Sequence, residues 1–320
     1  MTRSQQRGRA GSSESKSRLP SPSAGAGVRG RNRDLLGFVG DVEVMNTDLS
    51  RLEETEIHLL LEGIYRQYGF DFRNYALASL RRRIWSVVRA EKLNTISALQ
   101  DKVLHDASCL ERLLLALSVH VSAMFRDPSF FRAFRAKAVP LLRTYPYIRI
   151  WLAGCSTGEE VYSLAILLEE EGLYKRCRIY ASDMNEAVLR AAKSGIYPLH
   201  LMRSYTENYI KAGGTRSFSE YYTAAYDSVL MRPSLVDQVV FCQHNLATDE
   251  SFNEFNVILC RNVMIYFDKT LQGRVHQLFY ESLVNFGLLG LGDKESLHLT
   301  AYEHSYEQLS DEEKLYRRIA

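Results

Sequence analysis

The densest run of chemically capable residues follows a short apolar stretch of strand type, Ile148–Ala153. It reads Gly154-Cys-Ser-Thr-Gly158-Glu159-Glu160 and passes into a helical pattern with Val161, Leu164, Ala165, Leu167 and Leu168 on one side. Glycines at the end of a first strand let the backbone approach a ligand, and the helix after them offers unpaired N–H groups. A second strand-type run, Arg178–Ser182, ends on Asp183, 25 residues after Gly158. An acid at that place suits the two hydroxyls of a ribose. The spacing leaves NAD and S-adenosylmethionine both open. The missing third glycine and the paired acids argue against a pyrophosphate, whereas the ammonium of a methionyl group would be attracted.

Two further groups could carry chemistry. Cys260-Arg261-Asn262-Val-Met-Ile-Tyr266-Phe-Asp268 lies just past an apolar strand, at the edge where open α/β sheets bind ligands. Polar residues emerging there are enriched in sites. The plainer reading pairs Arg261 with Asp268 and leaves Tyr266 a half-buried aromatic. Ser118-Val-His120-Val-Ser122-Ala-Met-Phe-Arg126-Asp-Pro128 is the other group. Its plainer reading is a helix end with Met124 and Phe125 in the core and Arg126 on the surface.

The elements that must position these residues alternate. After Pro140 and Pro146 come strand 148–153, a helix, strand 178–182 and helix 185–193 closed by Gly195. Strands 239–242 and 256–260 come next, then a helix around 270–284 and strand 288–291. This alternation predicts a parallel, doubly wound sheet. Residues 196–238 break the pattern. They are rich in tyrosine, include Gly213-Gly214, and predict an inserted helix with a small antiparallel unit. Upstream, from about residue 47 to 135, apolar residues recur at helical spacing, with further helices over 95–104 and 108–120. One of these helices carries Arg73, Arg81, Arg82, Arg83 and Arg89. Three adjacent arginines cannot share one helix face, so at least one is structural.

The chain has 320 residues and a net charge of +2, with 46% hydrophobic and 24% charged residues, which suits about two domains. The charge is uneven. Residues 1–34 carry eight Lys/Arg and two acids, or +6, which leaves the rest at −4. The basic balance therefore belongs to a Ser/Gly/Ala/Arg-rich tail, expected to be disordered over 1–40, and does not argue for nucleic-acid binding by the body. No apolar run is long enough to span a bilayer, and no apolar h-region marks a secretory signal. Five cysteines without C-x-x-C spacing or paired histidines read as reduced thiols of a cytoplasmic protein, with no metal site.

Together the segments resemble the chemotaxis-receptor methyltransferase family, the S-adenosylmethionine-dependent protein-glutamate O-methyltransferases of CheR type. The resemblance runs from about residue 50 to 318. It rests on FRNYALASLRRRI, SVHVSAMFRDPSFF, IWLAGCSTGEEVYSLAI, YASDMNEAVLRAAKSGIYP, FCQHNLA, ILCRNVMIYFDK and LGDKESL, in the family's order. It implies a small all-helical domain (47–135) and a doubly wound, Rossmann-like methyltransferase domain (136–320) with an inserted β-subdomain (196–238). It also implies S-adenosyl-L-methionine as cofactor, with S-adenosyl-L-homocysteine as product. By the same resemblance, cofactor contacts fall on His120, Ser122, Arg126, Glu159, Asp183, Asn245, Leu246, Arg261 and Asn262. Arg126 and Tyr266 fall at the methyl-transfer centre. His120 stands where the family has Asn, and Asp293 where it has His or Ser. The implied partner is the cytoplasmic helical domain of a chemoreceptor, docked by the arginines from Arg73 to Arg89 through complementary charge. No nucleic acid or membrane insertion is implied, and the chain is expected to be a monomer.

The rival readings are a methyltransferase for another substrate and a non-catalytic S-adenosylmethionine-binding scaffold. The sequence has neither Asp/Asn-Pro-Pro-Tyr nor a Pro-Cys nucleophile, the usual marks of base methylation.

Overall fold

The computed structural model describes residues 34–118 and 122–319, with side chains from Ser50 onward. Residues 1–33 of the expected tail, and His120, lie outside the described residues. Arg51–Ala320 forms one compact unit. Helix α1 runs from Asp34 to Tyr68, so it begins ahead of the expected start near residue 47. No proline interrupts that span.

The helical part continues with α2 (Leu77–Ala90), α3 (Ile96–His105) and α4 (Ala107–Leu117). Their starts are set locally. The Thr95 side chain accepts from the Ala98 N–H at 3.0 Å, and Asp106 accepts from the Ser108 N–H at 2.9 Å. Each cap satisfies an amide that the first turn would leave orphaned. Leu80, Ile84, Val87 and Val88 of α2 join Ile57, Leu61, Leu99 and Leu113 in one buried cluster. Burying that stripe fixes where the α2 arginines point.

Helices α5 (Pro128–Ala133) and α6 (Val139–Leu142) are joined through a π-turn at Phe134–Ala138 and lead into the sheet. Strands β1 (Ile148–Ala153), β2 (Cys177–Asp183), β6 (Val239–Gln243), β7 (Phe255–Cys260) and β8 (Leu283–Leu291) are parallel to one another. They lie in the order β6-β2-β1-β7-β8. Alternation along each strand supplies two cores. Ile148, Ile150, Leu152, Ile179 and Leu259 face one, and Trp151, Ala153, Phe255 and Ile258 face the other. Both faces are covered by helices, among them α7 (Glu159–Glu170), α8 (Glu186–Ser194) and α10 (Lys269–Ser282). That is why the strands read as continuous apolar runs. The chain leaves β1 for β2 on one side and returns to β7 on the other. The crevice where α/β sheets take ligands therefore opens above β1.

The insert forms as expected. Helix α9 (Met202–Lys211) accompanies a three-stranded antiparallel sheet of β3 (Ile196–Pro198), β5 (Ser228–Met231) and β4 (Tyr222–Ala225), in the order β3-β5-β4. The sequence reading did not include β9 (Tyr306–Gln308) and β10 (Leu315–Arg318), an antiparallel pair that finishes the larger sheet in the order β8-β10-β9. These runs are short and half polar, so they carry no strand signal of their own.

Candidate functional site

The glycine loop folds over the end of β2. The N–H groups of Gly154 and Cys155 both donate to the Ser182 carbonyl at 2.9 Å. Gly154 has φ +78°, and a Cβ there would sit 2.5 Å from Val263 Cγ2, so only glycine allows this approach. Asp183 ends β2. Its carboxylate accepts from the N–H groups of Ser156 and Asn185, each at 3.0 Å, which holds it at the rim of the loop.

The segment before α5 is held as tightly. Phe125 and Asp127 both adopt positive φ, 52° and 53°. The Phe125 N–H donates to Ser163 Oγ at 2.8 Å, while its ring packs edge-on against Phe131, Tyr209 and Phe218. Arg126 sits between these two strained residues. Its carbonyl accepts from Arg261 Nη2 at 3.0 Å.

Arg261 is the electrostatic centre. Its side chain is 1% exposed and donates to Glu160 at 3.1 Å and to Asp127 at 3.0 Å. The guanidinium also lies over the Phe130 ring at 4.2 Å. Burial pushes the Glu160 carboxyl up from its ordinary pKa, and the neighbouring Arg261 opposes that shift. The Arg261–Asp268 pair of the plainer reading does not form. Asp268 instead caps α10, accepting from the Leu271 N–H at 2.8 Å.

One cleft, about 1000 Å³ with its open solvent, gathers the parts. Of the residues expected from the sequence it is lined by Ser122, Arg126, Asp183, Asn245, Leu246, Arg261, Asn262 and Tyr266. Glu159 is not among them. It is buried, it accepts from Thr157 Oγ1 at 2.7 Å, and burial raises its pKa. One residue on, about 100° around α7, Glu160 faces the cleft instead.

The helical part supplies a wall. Tyr75 lines the cleft, its hydroxyl 3.6 Å from Met184 Sδ and its ring edge-on to Phe267 at 4.9 Å. The Ala76 N–H donates to the Tyr266 carbonyl at 2.8 Å, and the Asp268 N–H to the Asn74 carbonyl at 2.9 Å.

The arginines expected to dock a partner divide. Arg83 turns inward. Its guanidinium donates to the Leu117 carbonyl at 2.5 Å and lies 4.8 Å over the Tyr266 ring. Arg73 is paired with Asp71 and Glu62, and Arg81 with Glu53, which also accepts from Trp85. Arg82 and Arg89 are exposed, and neither has an ion-pair partner among the described residues. Seven residues apart on a helix, they share one face. The five thiols are free, four of them buried.

Sequence reasoning missed Glu160, Tyr75 and Met184 as lining residues. It also missed Glu295, a buried acid behind the Arg261–Tyr266 turn. For Glu160 the Glu-Glu pair was a signal; for Tyr75 and Met184, which meet across 109 residues, there was none.

The chain matches two family descriptions. "CheR methyltransferase, all-alpha domain" covers residues 55–118, and "CheR methyltransferase, SAM binding domain" covers residues 120–313. It is 52% identical to a Pseudomonas putida protein named "Putative methyltransferase Cher3", over 85% of this chain and 98% of that one. It is 30% identical to a "Chemotaxis protein methyltransferase" of Listeria monocytogenes, over 73% of this chain and 87% of that one. With the protein of that name from Salmonella typhimurium it shares 29% identity, over 83% and 93% of the two chains.

Proposed function

Because the chain belongs to the CheR methyltransferase family, and is thus an S-adenosylmethionine-dependent methyltransferase, we propose that it methylates glutamate side chains on the cytoplasmic helical domain of a chemoreceptor or chemoreceptor-like protein. The observation that carries the reading is the convergence of Arg126 and Tyr266 with the glycine loop and Asp183 in one cleft.

The donor set fits the cofactor. A cationic nucleoside suits a cleft that has Asp183 and Glu160 on its walls, the amide of Asn245 and the apolar faces of Met184 and Leu246. Bound there, S-adenosylmethionine supplies a methyl carbon on a positively charged sulfur. Asp183 would hold the ribose, and Asn245 with Leu246 would take the base. Ser122, Arg261 and Asn262 complete the walls.

The acceptor is a carboxylate with a pKa near ~4.3, ionised at neutral pH, so no base has to act on it. One of its oxygens would take the methyl group from the bound cofactor, with the carbon–sulfur bonding pair left on sulfur. No proton moves. What this chain contributes is orientation, and orientation alone accounts for a large share of such rate accelerations. Arg126 pairs with the other carboxylate oxygen, and the Tyr266 hydroxyl holds the reacting groups in line. The ester is neutral, so the receptor changes by one charge per event.

Arg82 and Arg89 provide the exposed basic face for an acidic receptor helix. Among the described residues no helix is long and apolar enough to cross a membrane. We place the enzyme in the cytoplasm, where it meets the receptor's inner domain.

The test is incubation with methyl-labelled cofactor and a receptor cytoplasmic fragment. Alkali-labile label on the fragment, lost when its acceptor glutamates are changed to glutamine, is the expected result. Alkali-stable label, or none on any receptor fragment, overturns the substrate assignment.

A further inference from the structure

We propose that Glu295 is a positioning residue for methyl transfer, which clamps the Arg261–Tyr266 turn into the geometry that forms one wall of the cleft. The proposal deepens the function given above, since it rests on that turn bearing reactive groups.

Glu295 is 4% exposed, lies just past β8 and does not itself line the cleft. Its partners are all main-chain amides. Oε1 accepts from Val263 N at 2.8 Å and from Met264 N at 2.7 Å. Oε2 accepts from Asn262 N at 2.9 Å and from Gly292 N at 2.6 Å. Three successive N–H groups converge on one carboxylate, the arrangement by which a turn binds an anion. Here the anion is built into the chain.

The turn would not hold this shape unaided. Asn262 has φ +61°, a left-handed conformation that costs energy for a residue with a Cβ. The clamp offsets that cost and fixes the residues on either side. Val263 is held against Gly154, so the turn and the glycine loop are in contact. Met264–Tyr266 forms a short 3-10 turn that ends on Tyr266. Arg261, immediately before the clamp, carries the links to Glu160, Asp127 and Arg126. One carboxylate therefore sets the spacing between the two walls and the place of the Tyr266 ring. A neutral amide cannot replace it. The glutamine side chain has one acceptor oxygen, and its NH2 would face N–H donors.

The experiment compares wild type with Glu295→Gln and Glu295→Asp. It measures three things: hydrogen exchange of the apo protein, calorimetric affinity for S-adenosylhomocysteine, and turnover on a receptor fragment. In Glu295→Gln, exchange across residues 261–267 should rise at least tenfold while β1 and β2 keep their protection. Affinity should fall about tenfold. Turnover at saturating cofactor should stay below about a tenth of wild type, a barrier change of about 1.4 kcal/mol. Glu295→Asp, which keeps the charge, should recover part of each loss. A folded Glu295→Gln with wild-type exchange in 261–267 and full turnover overturns the proposal, even with a lower melting temperature.

If Glu295→Gln does not fold, Gly292→Ala carries the test. Its Cβ would lie 2.7 Å from both Asn262 N and Glu295 Oε2, so it disturbs the clamp and keeps the carboxylate. It should show the same three changes, and wild-type behaviour in all three overturns the proposal. In the wild type itself, amides 262–264 exchanging as fast as exposed loop amides would do so too. A wild type that fails to methylate receptors removes the substrate reading, while exchange and affinity still decide on Glu295.

Discussion

Two arginine settings in this chain differ in what surrounds the charge. On and just ahead of α2 the guanidiniums other than that of Arg83 stand at or near solvent. Arg81 is 43% exposed beside Glu53, and Arg73, just ahead of the helix, is 36% exposed beside Asp71 and Glu62. Under the cleft, Arg261 is 1% exposed and bridges Glu160, Asp127 and the Arg126 carbonyl. A surface pair contributes little, because water and salt screen it and two long side chains must be ordered. Inside, the same pairing is costly to form and more costly to break. Counting arginines along a helix therefore overstates what is on offer to a partner. Only Arg82 and Arg89 keep their charge outward.

The comparison can be broken most easily at its buried end. Arg261→Met leaves the Glu160 carboxylate without its cation and should cost about 3–5 kcal/mol of stability. The unfolding midpoint should drop by roughly 10 °C, read by calorimetry. A drop of only a degree or two would mean that the buried arginine behaves like its surface counterparts.

Asp183→Ala comes next. Losing hydrogen bonds from an ionised group should weaken binding of S-adenosylhomocysteine by about 1.5–3 kcal/mol. Unchanged affinity in a folded variant would take the ribose away from Asp183.

Tyr266→Phe sharpens the contrast between holding and reacting. The ring keeps its place under Arg83, so stability and cofactor affinity should barely move. The single-turnover rate should fall about tenfold, the mark of an interaction made at the transition state. A wild-type rate would remove Tyr266 and leave Arg126 to orient the carboxylate.

The smallest effects belong to the exposed arginines. Arg82→Ala and Arg89→Ala should each raise KM for the receptor by about two- to fivefold, within ~1 kcal/mol, and flatten its salt dependence. Arg81→Ala should leave KM alone and cost ~0.2–1 kcal/mol of stability. If all three act alike on KM, the division of α2 into paired and free charges is wrong.

The parts of the site read from spacing alone share a property, since their neighbours in space are neighbours in sequence, whereas Ser122, Arg126, Asn245 and Leu246 came from the family resemblance. The glycine loop and Asp183 belong to one strand–helix–strand unit, and the Asp183 carboxylate reaches back only 27 residues to Ser156. The antiparallel insert was equally plain, because residues 196–238 break the strand–helix alternation and contain a β-prone run over 218–230. Glu159 was misplaced against Glu160 because a sequence does not say how a helix is rotated about its axis. Arg83 was misread because its direction depends on the burial of Ile84 and Val87, which is decided by α3 and α4. The Glu295 clamp and the Tyr75 wall were out of reach, since both join segments far apart in the chain. The sequence contained those residues, but not their distances.

The seam between the Asn74–Ala76 stretch and Tyr266–Asp268 has a mechanical consequence. Two main-chain hydrogen bonds, Ala76 to Tyr266 and Asp268 to Asn74, join the stretches like a short ribbon. Helix α2 starts one residue later, at Leu77. The rod that presents Arg82 and Arg89 is thus rooted on the backbone of Tyr266, with no flexible joint between them. On the function proposed above, a receptor helix that loads the tip of α2 pulls on the Tyr266 main chain, as a lever transmits force to its pivot.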